Sequence, residues 1–487
     1  MLNETEVREL VGRMYQLHLS ERAALDEIRD WVKGTRGIPN LPEGVADEVK
    51  ALAAQSPRNL LPLVRDSFVE NLSITGYRPT LATDNSPAWK IWQRNRMDAR
   101  QSQIWMPAVT YGCSYVAARK GDRGVEFVIR SPRQLLAVYV DPASDMWPQY
   151  TFETWIEQTD AKPRRVALLT DDEYEYRCDL GEVTANEATG IDPNRSMPLV
   201  VTEIDEPTPH GATYDGLPVC PVVRFVDRRD EDGLVVGEIA PLTKLQRAIN
   251  EVNLDRLIVS RFGAFPQKVI TGWSGSADEV LKASARRVWA FEEPDVSAST
   301  LAAASLDGYN DVLQEMSEFV AMTAQISPSQ VNGRIANVSA EALAAAEANQ
   351  QRKLAAMRES LGESAEQLLQ LSVEMDGDDT TAPDESAEVV WRDTEARTFA
   401  TTVDGVTKLA AVGVPIQHLL FLVPGMTQQK ADAIDQSLRG GAVSDLVSTL
   451  RASAQAATAG SPAVAAVAER TTPAVGTPSA TAEVEEG

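Results

Sequence analysis

The sequence is poor in cysteine and histidine. Its 487 residues include three cysteines (Cys113, Cys178 and Cys220) and three histidines, at positions 18, 210 and 418. They are scattered along the chain and lack the paired spacing of structural zinc sites. An odd number of scattered cysteines favours free thiols in a reducing compartment over a disulfide framework. We therefore expect no metal ion and no cofactor.

Long apolar runs are also missing. No stretch approaches the roughly 20 apolar residues that a membrane-spanning helix needs. The first residues, Met1–Glu6, are acidic, whereas a secretory signal begins with a positively charged region. The sequence therefore predicts neither a membrane span nor a signal peptide.

Positive charge is in deficit. The chain has 46 Lys and Arg against 71 Asp and Glu, which gives a net charge of −25 and a pI of about 4.6. Proteins that grip nucleic acid neutralise phosphates with a basic face. The composition argues against such a protein, but it is compatible with one that surrounds DNA without gripping it.

Familiar catalytic motifs are absent as well. No G-x-x-x-x-G-K-[ST] loop is present, which argues against an NTPase of that class. Gly272–Gly275 is a near miss for a nucleophile elbow, which needs G-x-S-x-G, and we interpret it as a turn. Asp376, Asp378 and Asp379 could supply oxygen ligands to a hard cation, although a solvated loop is the ordinary interpretation. No nucleophile, base and orienting group come together, so we expect no catalytic residues and no enzyme.

Tryptophans are concentrated in one segment. Trp89, Trp92 and Trp105 could form a stacking platform for bases. At helical spacing such residues more often belong to a hydrophobic core, and we predict a core role.

A helix, a loop and a long helix between Asp307 and Met375 organise the rest of the chain. Apolar spacing predicts a first helix over Tyr309–Ile326, which Ser327-Pro328 ends. A polar loop over 329–337 follows, with Ser339 as the expected N-cap of a helix from Ala340 to Met375. That helix is a rod of roughly 50 Å.

The long helix carries only a thin apolar stripe. Its members are nearly heptad in spacing: Leu354, Met357, Leu361, Leu368, Leu371 and Met375. A stripe this sparse on so long a helix predicts packing along neighbours, in a bundle or against other subunits, rather than in one compact core.

The remaining segments predict an α+β protein. Residues 3–72 have helical patterns, with Ser20 as a candidate N-cap, and Ala88–Thr110 is expected to be one helix that Pro107 kinks. Residues 111–226 predict a mostly antiparallel sheet. Its strands are expected at Val125–Arg130, Leu135–Val140, Tyr150–Glu157, Arg165–Thr170, Glu173–Cys178, Leu199–Ile204 and Val219–Val226.

The second half alternates helices with short strands. A helix is expected at Leu242–Phe262, then strands at Gln267–Thr271 and Arg287–Phe291, and a later strand at Val389–Trp391. Residues 394–451 have helical patterns. The tail from about residue 452 is rich in Ala, Thr, Pro, Ser, Gly and Glu and is expected to be disordered.

Three stretches carry a resemblance to a known family. They are residues 89–118, which run from a helix into G-x-x-Y-V; residues 218–268, where a helix leads into Pro266-Gln267-Lys268; and Asn337-Val338-Ser339-Ala340-Glu341 at the start of the long helix. In their order and spacing, these stretches resemble portal proteins of tailed bacteriophages, of the type found in siphophages of Gram-positive or actinobacterial hosts. The resemblance extends from residue 1 to about residue 450.

The resemblance implies a ring, dodecameric in the virion, that surrounds a channel for double-stranded DNA. It implies the following regions: 1–240 wing, 241–262 first stem helix, 263–306 clip, 307–326 second stem helix, 327–338 tunnel loop, 339–393 long spine helix and wing strand, 394–451 crown, and 452–487 disordered tail. The mainly helical architecture would combine an antiparallel β-rich wing with a small α/β clip.

The resemblance also implies sites and partners. The loop residues that would face non-specifically held DNA are Gln330, Asn332, Gly333, Arg334 and Asn337. The clip residues that would dock an adaptor are Lys268, Trp273, Arg286, Arg287 and Trp289. Implied partners are further copies of the chain, the major capsid protein, a scaffold protein, the large terminase subunit and a head-completion adaptor, without a membrane. The protein would be assembled in the host cytoplasm and reside at the portal vertex of the virion, where DNA is packaged and later ejected.

Two other interpretations stay open from the sequence. One is a virion assembly or adaptor protein that lacks the pore but shares the acidic, helical character. The other is a metal-dependent hydrolase or nuclease that uses the clustered acids Asp376, Asp378 and Asp379.

Overall fold

One helix of 30 residues, α1 (Glu4–Lys33), opens the chain. Asn3 and Glu6 form a capping box at its start, and Gly34 ends it in the left-handed conformation, which glycine adopts without strain. The prediction that Ser20 caps a separate helix is wrong. Ser20 lies inside α1, where its hydroxyl donates to the Leu17 carbonyl at 2.8 Å instead of capping a new helix.

A computed structural model describes residues 1–78, 87–158, 162–183, 201–263, 268–271, 297–300, 305–332, 340–377, 386–392, 394 and 399–414, with isolated positions beyond. The chain divides into two units, Met1–Arg397 and Thr398–Gly487. In the second unit the structure describes one helix of 13 residues, Phe399–Ala411. The predicted tail lies outside the described residues, as do most of residues 415–451.

Short helices and one strand follow α1. They are α2 (Asp47–Gln55), α3 (Leu61–Val69), β1 (Ile74–Arg78), α4 (Pro87–Arg94), α5 (Met97–Arg100) and α6 (Ser102–Tyr111). The prediction of one helix over Ala88–Thr110 is wrong, because Arg96 adopts a left-handed φ of 53° and interrupts it. The core role of the tryptophans is confirmed: Trp89 and Trp92 are buried and stacked 5.8 Å apart, and Trp105 is fully buried.

The predicted antiparallel β region is confirmed. The strands are β2 (Cys113–Gly121), β3 (Gly124–Arg130), β4 (Leu135–Val138), β5 (Tyr150–Glu157), β6 (Arg164–Thr170), β7 (Tyr174–Glu182), β8 (Glu203–Ile204), β9 (Thr208–Pro209), β10 (Thr213–Tyr214), β11 (Leu217–Pro218), β12 (Val222–Val226), β13 (Arg228–Arg229) and β14 (Val235–Val236). One sheet has the order β12-β2-β3, and a second has β4-β5-β6-β7-β8 with β9 also on β7. The sequence did not predict β2, which is the central strand of the first sheet.

The second half of the first unit is mainly helical. It contains α7 (Thr243–Ile258), β15 (Lys268–Thr271), β16 (Ser297–Thr300), α8 (Asp307–Ala324), α9 (Pro328–Asn332), α10 (Ala340–Met375) and β17 (Glu388–Trp391). A 3₁₀ turn over Ala240–Leu242 precedes α7, and a π-helical turn over Val259–Gly263 follows it. β15 pairs with β16, and β17 pairs with β1, both in antiparallel fashion. The predicted strand Arg287–Phe291 lies outside the described residues.

The long helix α10 runs through the main hydrophobic core of its own chain. All six residues of its predicted stripe are buried there, with Leu354, Leu361 and Leu368 fully inaccessible. The helix packs against α4, β2, β10, β12 and β17. The stripe was predicted to pack along neighbours, in a bundle or against other subunits, rather than in one compact core, and that prediction is wrong because the main core of the same chain covers it. Ala365, Leu369 and Ser372 are buried as well, so several faces of its second half are covered.

A second core lies between α1 and the larger sheet. Val7, Val11 and Met14 of α1 pack on Phe152 and Leu169 of the strands. Burying such apolar side chains contributes about 1.5–3 kcal/mol each relative to exposure. The two cores together fix α1, both sheets and α10 in one unit.

The three cysteines are buried and unpaired, as predicted. Burial raises the pKa of Cys113 and Cys178 to about 11 and that of Cys220 to about 12. The thiols are therefore un-ionised near neutral pH and unreactive as nucleophiles. Within the described part of the chain, no helix has the length and apolar character to cross a membrane.

Candidate functional site

Two helices, α7 and α8, flank the segment that contains the β15–β16 pair. They pack against each other, with Leu313, Val320 and Ala321 of α8 buried. Near the β15–β16 end of the helix pair, the guanidinium of Arg256 donates to Asn310 at 3.2 Å. The two helices and the first strand, β15, agree with the prediction, whereas β16 at Ser297–Thr300 was not predicted.

Buried amides attach α7 to the N-terminal part of the chain. Gln246, Asn250 and Asn253 are all nearly inaccessible on one face of α7. Gln246 accepts from the Leu60 amide at 2.9 Å, and Asn253 donates to the Ser56 carbonyl at 2.6 Å. These side chains satisfy backbone groups of the α2–α3 connection that would otherwise be buried without partners.

The outward face of α8 is both apolar and acidic. Phe319 and Met322 are 57% and 68% exposed, and Val312 is exposed as well. The helix carries Asp307, Asp311, Glu315 and Glu318 and has no Lys or Arg. Within this chain, the described residues leave the apolar face uncovered.

The segment after α8 begins with a turn of helix. Gln325 adopts a left-handed φ of 61° and ends α8, and α9 follows at Pro328–Asn332. The prediction of a loop from residue 329 is thus wrong for its first residues. The amide of Gln330 donates to Gln350 at 3.0 Å, and Gln350 in turn donates to the Ser67 carbonyl at 3.2 Å.

A lysine connects the end of α8 to the long helix. The ammonium of Lys353 on α10 donates to Ala324, the last residue of α8, at 3.1 Å, and to the carboxylate of Glu238. It also lies 4.9 Å from the ring centre of Phe68. A cation at a helix C-terminus interacts favourably with the free carbonyls there.

A cleft of about 410 Å³ opens beside this lysine. Its lining residues are Asp227, Arg228, Glu238, Gln325, Asn349, Arg352, Lys353, Ala356 and Met357. Asp227 and Glu238 are only 3% and 4% exposed. Burial, and then the neighbouring charge of Glu238, raise the pKa of Asp227 to about 8.

The predicted loop and clip residues lie partly within the described residues. Gln330 and Asn332 belong to α9, whereas Gly333, Arg334 and Asn337 lie outside the described ranges. Lys268 lies on β15, where it pairs with Thr300. Trp273, Arg286, Arg287 and Trp289 also lie outside. The roles of these residues in contacting DNA or an adaptor stay predictions.

Sequence reasoning missed Gln350, Lys353 and Glu238. One signal for Gln350 was available, because the spacing 350, 354, 357 and 361 continues the buried stripe of α10 by one more turn. A polar residue in such a position needs a buried partner. No comparable signal identified Glu238, which follows a short strand.

One aspartate of the acidic cluster on which the hydrolase interpretation depends has partners within the chain. The carboxylate of Asp376 accepts from the Arg94 guanidinium and from the Val125 amide, each at 3.2 Å. Asp378 and Asp379 lie outside the described residues. Where the structure describes the chain, no three His, Cys, Asp or Glu residues form a group that could hold a metal ion.

Two solved structures are similar to the chain. One is described as the virion of a native gene transfer agent particle; it is 11% identical, with 82% of this chain and 99% of that chain covered and a TM-score of 0.44. The other is the neck of an empty gene transfer agent particle computed with C6 symmetry; it is 11% identical, with 80% and 97% covered and a TM-score of 0.45. A comparison with curated proteins found no match.

A family model described as "Phage portal protein, SPP1 Gp6-like" matches residues 15–440. The match includes both sheets, the helix pair and the long helix, and it therefore covers most of the chain. The chain belongs to the phage portal protein family of the SPP1 Gp6-like type and is a portal protein.

Proposed function

We propose that the protein forms a dodecameric ring at one vertex of a capsid, with a central channel through which double-stranded DNA is packaged and later ejected. The observation that carries this proposal is the family match over residues 15–440. Within it, α7, the β15–β16 pair, α8 and α10 follow one another in the order expected for stem, clip, stem and spine.

The exposed face of α8 supports assembly into a ring. Phe319, Met322 and Val312 leave apolar surface in water on one helix. Such surface commonly marks a protein interface. In a ring, each copy presents one surface to the next copy and a different one to the previous copy. We propose that the apolar face of α8 belongs to such an interface.

The net charge of the chain supports a channel that lets DNA pass rather than a protein that binds DNA tightly. Each copy carries −25, so twelve copies carry twelve times that charge, or −300. An acidic channel wall repels the phosphate backbone of DNA. Because few phosphates are then contacted, the affinity for DNA stays low and the DNA slides quickly. Arg334 is the only basic residue in the predicted tunnel loop over 327–338, which is consistent with weak contact.

The proposed partners follow from the same function. The clip over 263–306 would dock the head-completion adaptor, and the ring would also contact the large terminase subunit, the major capsid protein and a scaffold protein. We propose that the ring assembles in the host cytoplasm, resides in the virion of a siphophage with a Gram-positive or actinobacterial host, and is structural rather than enzymatic.

Deletion of residues 330–336 tests the DNA-facing role of the tunnel loop. We expect the variant to assemble rings but to lower the amount of DNA packaged or retained in particles. A matched control replaces the same seven positions with glycine and serine, which keeps the length but removes the side chains. Packaging and retention at the normal level in the deletion variant would contradict a role for the loop.

A further inference from the structure

The cleft beside Lys353 contains an arrangement that the channel function does not explain. Among the residues that the structure describes, neither carboxylate oxygen of Asp227 has a hydrogen-bond partner, although Asp227 is 97% buried. Glu238 Oε1 likewise accepts no hydrogen bond from the described part of the chain, while Glu238 Oε2 accepts from Lys353. A buried carboxylate without partners is costly, and taking up a proton removes most of that cost.

Charged groups from each neighbouring segment line the cleft together with Asp227. Glu238 follows β14, Arg228 belongs to β13, and Arg352 and Lys353 belong to α10. Arg228 lies 3.6 Å from Glu238 and is about half exposed, so water screens its charge. Lys353, which is 11% exposed, is already paired with Glu238. When Asp227 is neutral, the buried charges are therefore the ammonium of Lys353 and the carboxylate of Glu238, which cancel.

We propose that Asp227 is a proton-controlled latch, which in its protonated form lets Lys353 hold the C-terminal end of α8 against α10. This inference concerns the internal mechanics of the chain and goes beyond the proposed channel function. The proton that Asp227 releases goes to solvent through the cleft, and no other reactant is needed.

Loss of the proton from Asp227 changes the balance of charges around Lys353. A second carboxylate then competes with Glu238 and with the Ala324 carbonyl for one ammonium group. This competition weakens the contact between Lys353 and Ala324, so the last turn of α8 is released.

The direction of the pH dependence follows from the raised pKa of Asp227. The folded protein keeps this proton up to about pH 8, whereas an unfolded aspartic acid releases it near its ordinary value of 3.8. Between those two values the folded state binds more protons than the unfolded state, so stability decreases as the pH rises. Above about pH 8, this group causes no further loss.

The variant Asp227→Asn imitates the protonated latch at every pH. We expect the melting temperature of the wild-type protein to fall by about 3 °C more than that of Asp227→Asn between pH 6.5 and pH 9. Hydrogen exchange in a peptide that spans 320–326, corrected for the intrinsic effect of pH, should accelerate over the same pH range in the wild type but not in Asp227→Asn. Asp232→Asn, a change on an exposed turn, is the control and should behave like the wild type.

Equal pH responses of Asp227→Asn and the wild type would overturn the proposal. If Asp227→Asn does not fold, Glu238→Gln provides the second test. This variant keeps the carboxyl group of Asp227, which titrates, but removes the negative charge of Glu238 beside it. It also frees Lys353 to interact with Asp227. The midpoint of the pH response must then move to a lower pH. A midpoint that stays in place would also refute the latch.

Discussion

The ammonium of Lys353 lies 3.1 Å from the carbonyl oxygen of Ala324, and this contact joins the middle of the long helix to the last residue of α8. Gln330 and Gln350 form a second link at 3.0 Å, close to the first. Together these two contacts attach α8 and α9 to α10 in the main core, and we call them the anchor. The segment that we propose to face DNA therefore begins next to a fixed attachment point.

Lys353→Met tests the importance of this anchor. The change removes the buried partner of Glu238 and leaves only the half-exposed Arg228 at 3.6 Å, and breaking a buried ion pair typically costs about 3 kcal/mol. We expect a loss of that size in the free energy of unfolding, measured with urea. Lys50→Met, which breaks an exposed pair with Asp47, is the control and should change stability by less than about 1 kcal/mol. Equal effects of the two variants would contradict the anchor.

Leu361→Asp tests the central position of α10. Leu361 is fully buried, so the new carboxylate would lie in the main core without a partner. We expect a loss of at least about 4 kcal/mol and little soluble, folded protein. Leu354→Asp should behave in the same way.

Ala355→Asp provides the control for both leucine variants, because position 355 is exposed on the same helix. We expect it to fold normally. Circular dichroism and the soluble yield measure the outcome. A folded Leu361→Asp protein would show that the stripe of α10 does not lie in the core.

Phe319→Asp and Met322→Asp test the proposed interface on α8. Both side chains are mostly exposed in the single chain, so a charge there should leave the fold intact. In a ring the same charge would be buried against the next copy, which would prevent assembly. Light scattering after size-exclusion chromatography measures the mass.

Leu217→Asp controls for a general effect of an added surface charge, since Leu217 is 67% exposed on a short strand away from α8. It should assemble like the wild type. Normal rings from both α8 variants would refute the proposed interface while leaving the family assignment untouched.

Much of the local structure could be predicted from the sequence. The bounds of α10 at Ala340–Met375 and of β5 at Tyr150–Glu157 agree with the expectations. The stripe of α10 is sparse but regular in spacing, and β5 is rich in β-branched and aromatic residues, so both segments carry a local signal. The sequence did not predict β1. That strand depends on pairing with β17, more than 300 residues later, and such pairing leaves little trace in a local pattern.

The candidate site was harder to predict than the fold. Lys353 and Glu238 are 115 residues apart, and nothing in either local sequence indicates that they meet. The left-handed conformation of Arg96, which divides the predicted helix at 88–110, also has no cue in its own residue type. The family resemblance supplied the order of regions, whereas the contacts that join those regions required the folded chain.

Electron microscopy of the purified protein in negative stain, with its mass in solution measured in parallel, tests the central claim most directly. We expect rings with a central hole and a mass near twelve times 53.0 kDa. The same preparation should contain few free monomers at high protein concentration. A preparation that contains only compact monomers, even with a capsid or scaffold partner added, would contradict the proposed channel.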